Sequence, residues 1–280
     1  TLACANDPDA DRLAVAARAE NGSYKMLSGD QVGVLLGDYC LSRTEPQKQI
    51  VCASMVSSRL LGKIAESVGA TYYETLTGFK WLSNIALQNE TADRQFLFAY
   101  EEALGYALGQ VVRDKDGLSA LALLAQMTAA LAADGLTVFD RLEALYREHG
   151  LFLTQQRSLK TSPGSPSITG LLRDATPQSI AGIDIVSTKD LLTRRQVFAD
   201  GQQLELDNHE ADVLIYYLAD VSRVIVRPSG TEPKTKCYYE VVGQFSGNEG
   251  FTNVFDATQH RLGVLADKHQ AELKHYLDRK

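Results

Sequence analysis

The sequence has no Cys-x-x-Cys pair, no long hydrophobic run, no internal repeat, no low-complexity tract and no excess of positive charge. Each absence closes off a class of function. Its four cysteines, Cys4, Cys40, Cys52 and Cys237, stand far apart among apolar neighbours, so neither a redox pair nor a paired-cysteine metal site is indicated. All four are expected as reduced core residues. The longest apolar stretch is far too short to cross a bilayer, and no positively charged, cleavable leader precedes Leu2. We therefore expect a cytoplasmic protein with no membrane partner. A formal net charge of −7 speaks against a nucleic-acid partner, so any basic groups that matter must act locally.

What is present is 280 residues, enough for about two domains, with hydrophobic and charged contents of 45% and 22% that are ordinary for a globular enzyme. Residues 1–5 read as a buried strand with no lead-in and no partner on their N-terminal side, so we expect a truncated chain.

The stretch with the most chemistry is Asn6-Asp7-Pro8-Asp9-Ala10-Asp11-Arg12. It reads as a tight loop between two apolar strands, 2–5 and 13–17. Carboxylates at alternate positions of an extended segment project to one side, where their repulsion is costly unless a cation sits between them, and hard oxygen donors suit Mg²⁺. A guanidinium at Arg12 beside such a site makes sense if an anion such as a phosphate approaches the metal. An EF-hand starting at Asp7 is excluded, because Arg12 and Arg18 stand where it needs Gly and Glu. An acidic surface turn and an aspartyl-phosphate nucleophile at Asp7 or Asp9 stay open as alternatives.

Beyond this loop, Asn21-Gly22 signals a type I′ hairpin. From Asp30 the apolar spacing turns helical, with Val32, Leu35, Leu36, Tyr39 and Cys40 on one face. Strands are predicted at 50–56, 71–76 and 96–100, and helices at 58–68, 79–87, 118–133 and 138–146. Alternating strands and helices predict an α/β domain with a mixed, mostly parallel sheet, helices on both faces and ligands beyond the carboxyl ends of its strands. Thr77-Gly78-Phe79-Lys80 and Glu101-Glu102 fall at such ends, and Arg113-Asp114-Lys115-Asp116-Gly117 leads into a helix. Residues 161–166 read as a linker. Strands predicted at 183–186, 212–218, 223–226 and 237–242, with a final helix over 252–277, suggest a smaller α+β C-terminal domain.

Between two of those strands lies Arg227-Pro228-Ser229-Gly230-Thr231-Glu232-Pro233-Lys234. Gly230 would let successive N–H groups converge into an anion nest, Ser229 and Thr231 add hydroxyls, and Arg227 and Lys234 bracket them with positive charge. A solvated hairpin turn is the competing reading.

These stretches, together with Glu101-Glu102-Ala103-Leu104-Gly105-Tyr106, resemble the α-D-phosphohexomutase superfamily in order and spacing over nearly the whole chain. The resemblance implies four domains around one cleft, of which residues 1–29 would end the second, 30–150 form the third and 151–280 the fourth, with the N-terminal domains of the same protein missing. It implies that Asp7, Asp9 and Asp11 hold Mg²⁺, that Arg12 supports the transferring phosphoryl group, and that Gly78 and Lys80 belong to the loop sensing the sugar's orientation. Glu101 would accept hydrogen bonds from two sugar hydroxyls. Lys115 would reach the sugar phosphate, and Arg227, Ser229, Gly230, Thr231 and Lys234 would hold the phosphate that is not reacting. The implied partners are a phosphosugar and its bisphosphate intermediate, formed by transfer from an active-site phosphoserine. The family's Ser-His-Asn-Pro-like motif for that serine does not occur in residues 1–280, and Ala103 stands where many phosphoglucomutases carry serine. The Glu-Glu-Ala-x-Gly-Tyr pattern is similar to the phosphoglucomutase and phosphopentomutase branch. Glucose phosphate is the expected substrate, with mannose or pentose phosphate, or a non-catalytic phosphosugar-binding module, as alternatives.

Overall fold

The computed structural model describes residues 2–160, 166–230, 232–247 and 249–278, and the chain divides into two compact units, Thr1–Gly150 and Leu151–Lys280. The first unit opens with an antiparallel sheet in the order β1 (Leu2–Asn6), β2 (Leu13–Arg18), β3 (Tyr24–Met26). Alternation along β2 buries Leu13, Val15 and Ala17 on one face. The expectation of burial fails for β1. It is an edge strand whose one ladder is with β2, so Ala3, Cys4 and Ala5 are exposed. Cys4 is therefore no core residue, whereas Cys40, Cys52 and Cys237 are buried, and burial pushes the Cys52 thiol up to about 12. The hairpin at Asn21-Gly22 forms, but not as type I′. That turn needs both central residues left-handed, and here Gly22 (φ 82°) is left-handed while Asn21 is not. The chain closes instead over Ala19 to Ser23, with the Ala19 N–H on Ser23 O at 2.8 Å and Asn21 Oδ1 accepting from the Ser23 N–H and hydroxyl.

The main body of this unit follows as α1 (Gly29–Ser42), β4 (Gln49–Ser54), α2 (Leu60–Val68), β5 (Thr71–Thr75), α3 (Phe79–Asn89), β6 (Gln95–Glu101), β7 (Gly105–Leu108), α4 (Gly117–Ala133) and α5 (Val138–His149). Helix α1 begins where Ser28 and Gln31 form a reciprocal capping box, and Gly69 ends α2 in the left-handed conformation. The sheet order is β5-β4-β6-β7, with β4 parallel to β5 and β6 and with β7 antiparallel to β6. Residue alternation divides its two faces. Ile50, Cys52 and Ala99 pack with Phe79, Leu82 and Ala86 of α3. Tyr100 points the other way, its hydroxyl donating to Asp30 of α1 at 3.0 Å. Helices thus cover both faces of a mostly parallel sheet, the architecture expected. The antiparallel edge β7 was not foreseen, since four residues are too few to show a period. Among the described residues, no single helix is long and apolar enough to cross a membrane.

The second unit comprises β8 (Leu151–Lys160), α6 (Ile168–Asp174), β9 (Ser179–Ile180), β10 (Ile183–Asp190), β11 (Arg195–Phe198), β12 (Gln203–Glu205), β13 (Leu214–Leu218), β14 (Arg223–Pro228), β15 (Lys234–Gly243) and α7 (Phe251–Asp278). Its antiparallel sheet runs β12-β11-β10-β13-β14-β15-β8, with β9 paired to β10. Helix α7 covers one face, where Tyr239 Oη meets the buried His269 Nδ1 at 3.0 Å. Helix α6 is tied to β10 by Arg173, which grips Asp190 with two bonds of 2.8 Å and reaches Asp212 at 2.7 Å. Strand β8 escaped the sequence reading because its polar middle, Thr154-Gln155-Gln156-Arg157, hides the alternation, and α6 because seven residues are too few to show a helical period. The expected linker at 161–166 lies outside the described residues except for Pro166.

Candidate active site

The Asp loop is a turn and not an extended segment. Pro8 and Asp9 occupy the bend, Ala10 is left-handed (φ 59°), and the Ala10 N–H returns to Asp7 O at 2.9 Å. The carboxylates therefore converge because the chain folds back, and not through strand alternation. One ligand atom from each of Asp7, Asp9 and Asp11 lies within 4.8 Å of the others. The loop is fastened from inside by Asn6 Nδ2 donating to Arg12 O at 2.6 Å and by the Arg12 N–H donating to Asp7 Oδ1 at 3.0 Å. That amide, more than any side chain, holds the Asp7 carboxyl below the usual carboxylate range. Arg12 Nε stands 3.8 Å from both Asp7 and Asp11, with its side chain half-exposed.

Three motifs far apart in sequence meet at Gly105. It pairs with Glu101 across the β6–β7 ladder and with Arg12 through a separate bridge, while the Phe79 ring and the Lys115 methylenes crowd its α-carbon. Lys115 Nζ reaches Asp11 Oδ2 at 3.1 Å and Asp114 Oδ1 at 3.2 Å, and lies 5.4 Å from the Phe79 ring centroid. Partial burial works to lower its pKa, but the bonds to Asp11 and Asp114 outweigh burial and raise it, so it stays a cation. On the other side of Gly105, Glu101 Oε1 accepts the Gly78 N–H at 2.5 Å, at the glycine (φ 116°) that starts α3. Lys80, two residues on, is exposed, with Nζ 4.9 Å from the Trp81 ring centroid. The fold thus gathers Asp7, Asp9, Asp11, Arg12, Lys115, Gly78 and Glu101 into one neighbourhood.

Gly117 keeps that neighbourhood closed. Its N–H donates to Ala10 O at 3.2 Å, and a side chain there would fall on the carbonyl oxygens of Arg12 and Ala10. Backbone cannot yield as a side-chain tip can, so Gly117→Ala is expected to push the Asp loop off its seat. Metal affinity typically falls 10- to 100-fold when supporting contacts are lost, and a calorimetric Mg²⁺ titration of the variant should show a loss of at least about tenfold. Unchanged Mg²⁺ affinity would mean that the loop is not the metal site.

In the second unit, Arg227 and Pro228 end β14 and Lys234 begins β15. Thr231 lies outside the described residues. Of the amides flanking Gly230, Ser229 N–H donates to Lys234 O at 2.8 Å and Lys234 N–H to Glu232 O at 2.7 Å, while the nest expected at Gly230 and Thr231 falls partly outside the described residues. Gly230 is not left-handed, and a side chain there would meet nothing, so the fold itself does not require glycine at this position. Lys234 Nζ pairs with Glu232 Oε2 at 2.6 Å, a counter-ion within the loop that the sequence reading overlooked.

The register shows two further cations. Directly opposed residues of antiparallel strands share a face, and Arg227 faces Lys236 while Lys234 faces Lys160. Because 234 and 236 are two apart, all four basic residues lie on the sheet face opposite the one that carries Tyr239. Like charges directly opposite one another destabilise a sheet unless an anion lies between them. Lys160 and Lys236 were not singled out, since only the β14–β15–β8 pairing brings them to Arg227.

Comparison with known proteins bears on this arrangement. The family model described as phosphoglucomutase/phosphomannomutase, alpha/beta/alpha domain III, matches residues 28–149, and the one described as phosphoglucomutase/phosphomannomutase, C-terminal domain, matches residues 188–249. A probable phosphomannomutase of Haemophilus influenzae is 36% identical over 244 residues, covering 86% of this chain and 46% of that protein. A phosphopentomutase of Homo sapiens is 33% identical over 258 residues, covering 86% of this chain and 42% of that protein. The crystal structure of a putative phosphomannomutase from Thermus thermophilus superposes with a TM-score of 0.64 at 18% identity, over 98% of this chain and 46% of that one, a likeness of fold. The chain spans about half the length of the curated relatives it matches. With both family models matching in order and a relative 36% identical over 86% of this chain, the chain belongs to the phosphoglucomutase/phosphomannomutase family.

Proposed function

We propose that this chain supplies the metal loop, the sugar loop and one phosphate loop of an enzyme that interconverts sugar 1-phosphate and sugar 6-phosphate through a phosphoserine and a sugar bisphosphate. The observation that carries this reading is the junction at Gly105, where Arg12 of the Asp loop, Glu101 of the sugar loop and Lys115 converge. Glucose phosphate is the preferred substrate in this reading. Glu101 keeps a carboxylate at the sugar, while Ala103 is exposed in the same loop and offers no side-chain hydrogen bond, so selectivity rests on the hydroxyls that reach Glu101.

Asp7, Asp9 and Asp11 fit Mg²⁺ by donor chemistry and by their mutual approach. When bound there, Mg²⁺ would neutralise charge on the transferring phosphoryl oxygens. Arg12 holds such an oxygen by charge-assisted hydrogen bonds, and Lys115 adds positive charge at the sugar's own phosphate. Gly78 N–H holds one oxygen of the Glu101 carboxylate, and in this reading that carboxylate accepts the sugar hydroxyls. Lys80 acts beside it at the start of α3. Arg227, Ser229, Gly230, Thr231 and Lys234, with Lys236 and Lys160 added from the sheet face, take the phosphate that is not reacting. The chain works by positioning and electrostatics, the terms that dominate phosphoryl transfer. The phosphoserine is assigned to a segment other than residues 1–280, which hold no Ser-His-Asn-Pro-like run.

The test is glucose 1-phosphate supplied with Mg²⁺ and catalytic glucose 1,6-bisphosphate. The 280-residue chain should bind the sugar phosphate without turning it over. Turnover would overturn the assignment of the phosphoserine, and failure to bind any of glucose, mannose or pentose phosphate would overturn the function.

A further inference from the structure

Arg113 heads the run Arg113-Asp114-Lys115-Asp116-Gly117, yet the proposed mechanism uses only Lys115 of its charged side chains. The segment that links β7 to α4, residues 109–116, runs out past the exposed Val111 and returns to bring Lys115 against Gly105. A lysine on such an excursion samples many positions unless contacts from outside the segment hold it. Helix α3 supplies most of those contacts.

Ser83, buried on α3, donates its hydroxyl to Arg113 O at 2.7 Å. Glu90, the residue that caps the end of the helix, receives three donors. Its Oε1 accepts Gln110 Nε2 at 2.8 Å and the Phe96 N–H at 3.0 Å, and its Oε2 accepts Arg113 Nη2 at 3.0 Å. The side chains of Glu90 and Arg113 are only 16% and 28% exposed, so this is not a solvated surface pair. Arg113 Nη1 is buried without a hydrogen bond, which leaves Glu90 as the acceptor for that guanidinium among the described residues. Beyond Lys115, the Asp116 N–H returns to Tyr106 O at 2.8 Å. Lys115 therefore lies between two anchors, one on α3 and one on β7. Ser83 also sits one turn on from Phe79, on the same helix face, and the Phe79 ring lies against Lys115.

We propose that Glu90 and Arg113 are positioning residues for Lys115: their ion pair, with the Ser83 bond, locks residues 109–116 onto α3. One helix then carries Gly78, which holds Glu101, at its start and the cation for the sugar's phosphate along its side, at a fixed spacing. This rests on the reading of Lys115 as the cation at the sugar's own phosphate, since Glu90 and Arg113 act only through it. Holding the ammonium in place beforehand raises affinity, because the ligand need not order it on binding.

The test is a set of double-mutant cycles on the 280-residue chain, read by calorimetric binding of glucose 1-phosphate in the presence of Mg²⁺. Glu90→Gln keeps the size of the side chain but leaves one acceptor oxygen for three donors and sets an amide nitrogen against one of them. It should weaken binding by about three- to tenfold in the parent and leave it unchanged in Lys115→Ala, the signature of residues that act through one another. Arg113→Met should match Glu90→Gln, the two losses should not add, and Arg113→Lys should restore most of the affinity by meeting Glu90 with an ammonium. Ser83→Ala removes one hydrogen bond and no charge; it should show the same dependence on Lys115 at smaller size, and it carries the test if Glu90→Gln fails to fold. Equal losses with and without Lys115, additive losses at 90 and 113, or parent-like affinity in both Glu90→Gln and Arg113→Met overturn the inference alone. Parent-like affinity in Lys115→Ala overturns the phosphate reading on which it stands.

Discussion

In the complete enzyme that this chain is proposed to belong to, Asp9→Ala is expected to lower kcat/KM for sugar phosphate interconversion by roughly 10³-fold, while leaving the metal-free chain as stable as before or slightly more so. A metal ion at a transferring phosphoryl group contributes several kcal/mol of charge stabilisation, and about 1.4 kcal/mol corresponds to each factor of ten in rate. Of the three aspartates, Asp9 is the cleanest to remove. Asp7 anchors the Arg12 N–H and Asp11 receives Lys115, so loss of either disturbs the loop as well as the metal. Asp9 is exposed and its carboxylate stands among two others of the same sign. Removing it relieves repulsion in the metal-free chain but weakens the cation cradle. The measurement is thermal unfolding with and without Mg²⁺: the parent gains stability from the bound ion by mass action, and Asp9→Ala should gain much less at the same concentration. Equal Mg²⁺-dependent stabilisation in both proteins would show that the Asp loop is an acidic turn and nothing more.

Arg227→Ala should weaken sugar-phosphate binding by about tenfold to several hundredfold, because each charge-assisted hydrogen bond contributes roughly 1.5–3 kcal/mol and a guanidinium can make two at once. In the complete enzyme the effect belongs in KM more than in kcat if, as proposed, the phosphate held here is not the one reacting. Mg²⁺ affinity should be unchanged, the aspartates being in the other unit. Lys236→Ala is expected to weaken binding in the same direction but less, a single ammonium offering no bidentate grip. If Arg227→Ala binds sugar phosphate as well as the parent does, residues 227–234 are a hairpin turn and the anion site lies elsewhere.

The α/β pattern of the first unit was legible because its strands and helices are long enough to show their periods, and helix starts such as Ser28-x-x-Gln31 carry their own capping chemistry. The motif order needed no geometry at all, since Asp7-x-Asp9-x-Asp11-Arg12, Gly78-x-Lys80, Glu101 and Arg227 to Lys234 can be read as strings. Short elements could not be read this way: β7, β11 and β12 have four, four and three residues, and a strand so short is indistinguishable from a loop.

By itself, then, the sequence determined the alternation of strands and helices and the family that the motifs point to, because these depend on local periodicity and on residue type. Only the tertiary structure decided which of those residues meet. The carboxylates of the Asp loop converge through a left-handed Ala10 where alternation along a strand had been expected, and backbone angle is not written in residue type when the residue is not glycine. The junction of Arg12, Glu101, Phe79 and Lys115 at Gly105 comes from one antiparallel ladder and one isolated bridge, pairings between segments far apart in the chain. Strand register put Lys160 and Lys236 beside Arg227, and a shift by one residue would have sent them to the opposite face.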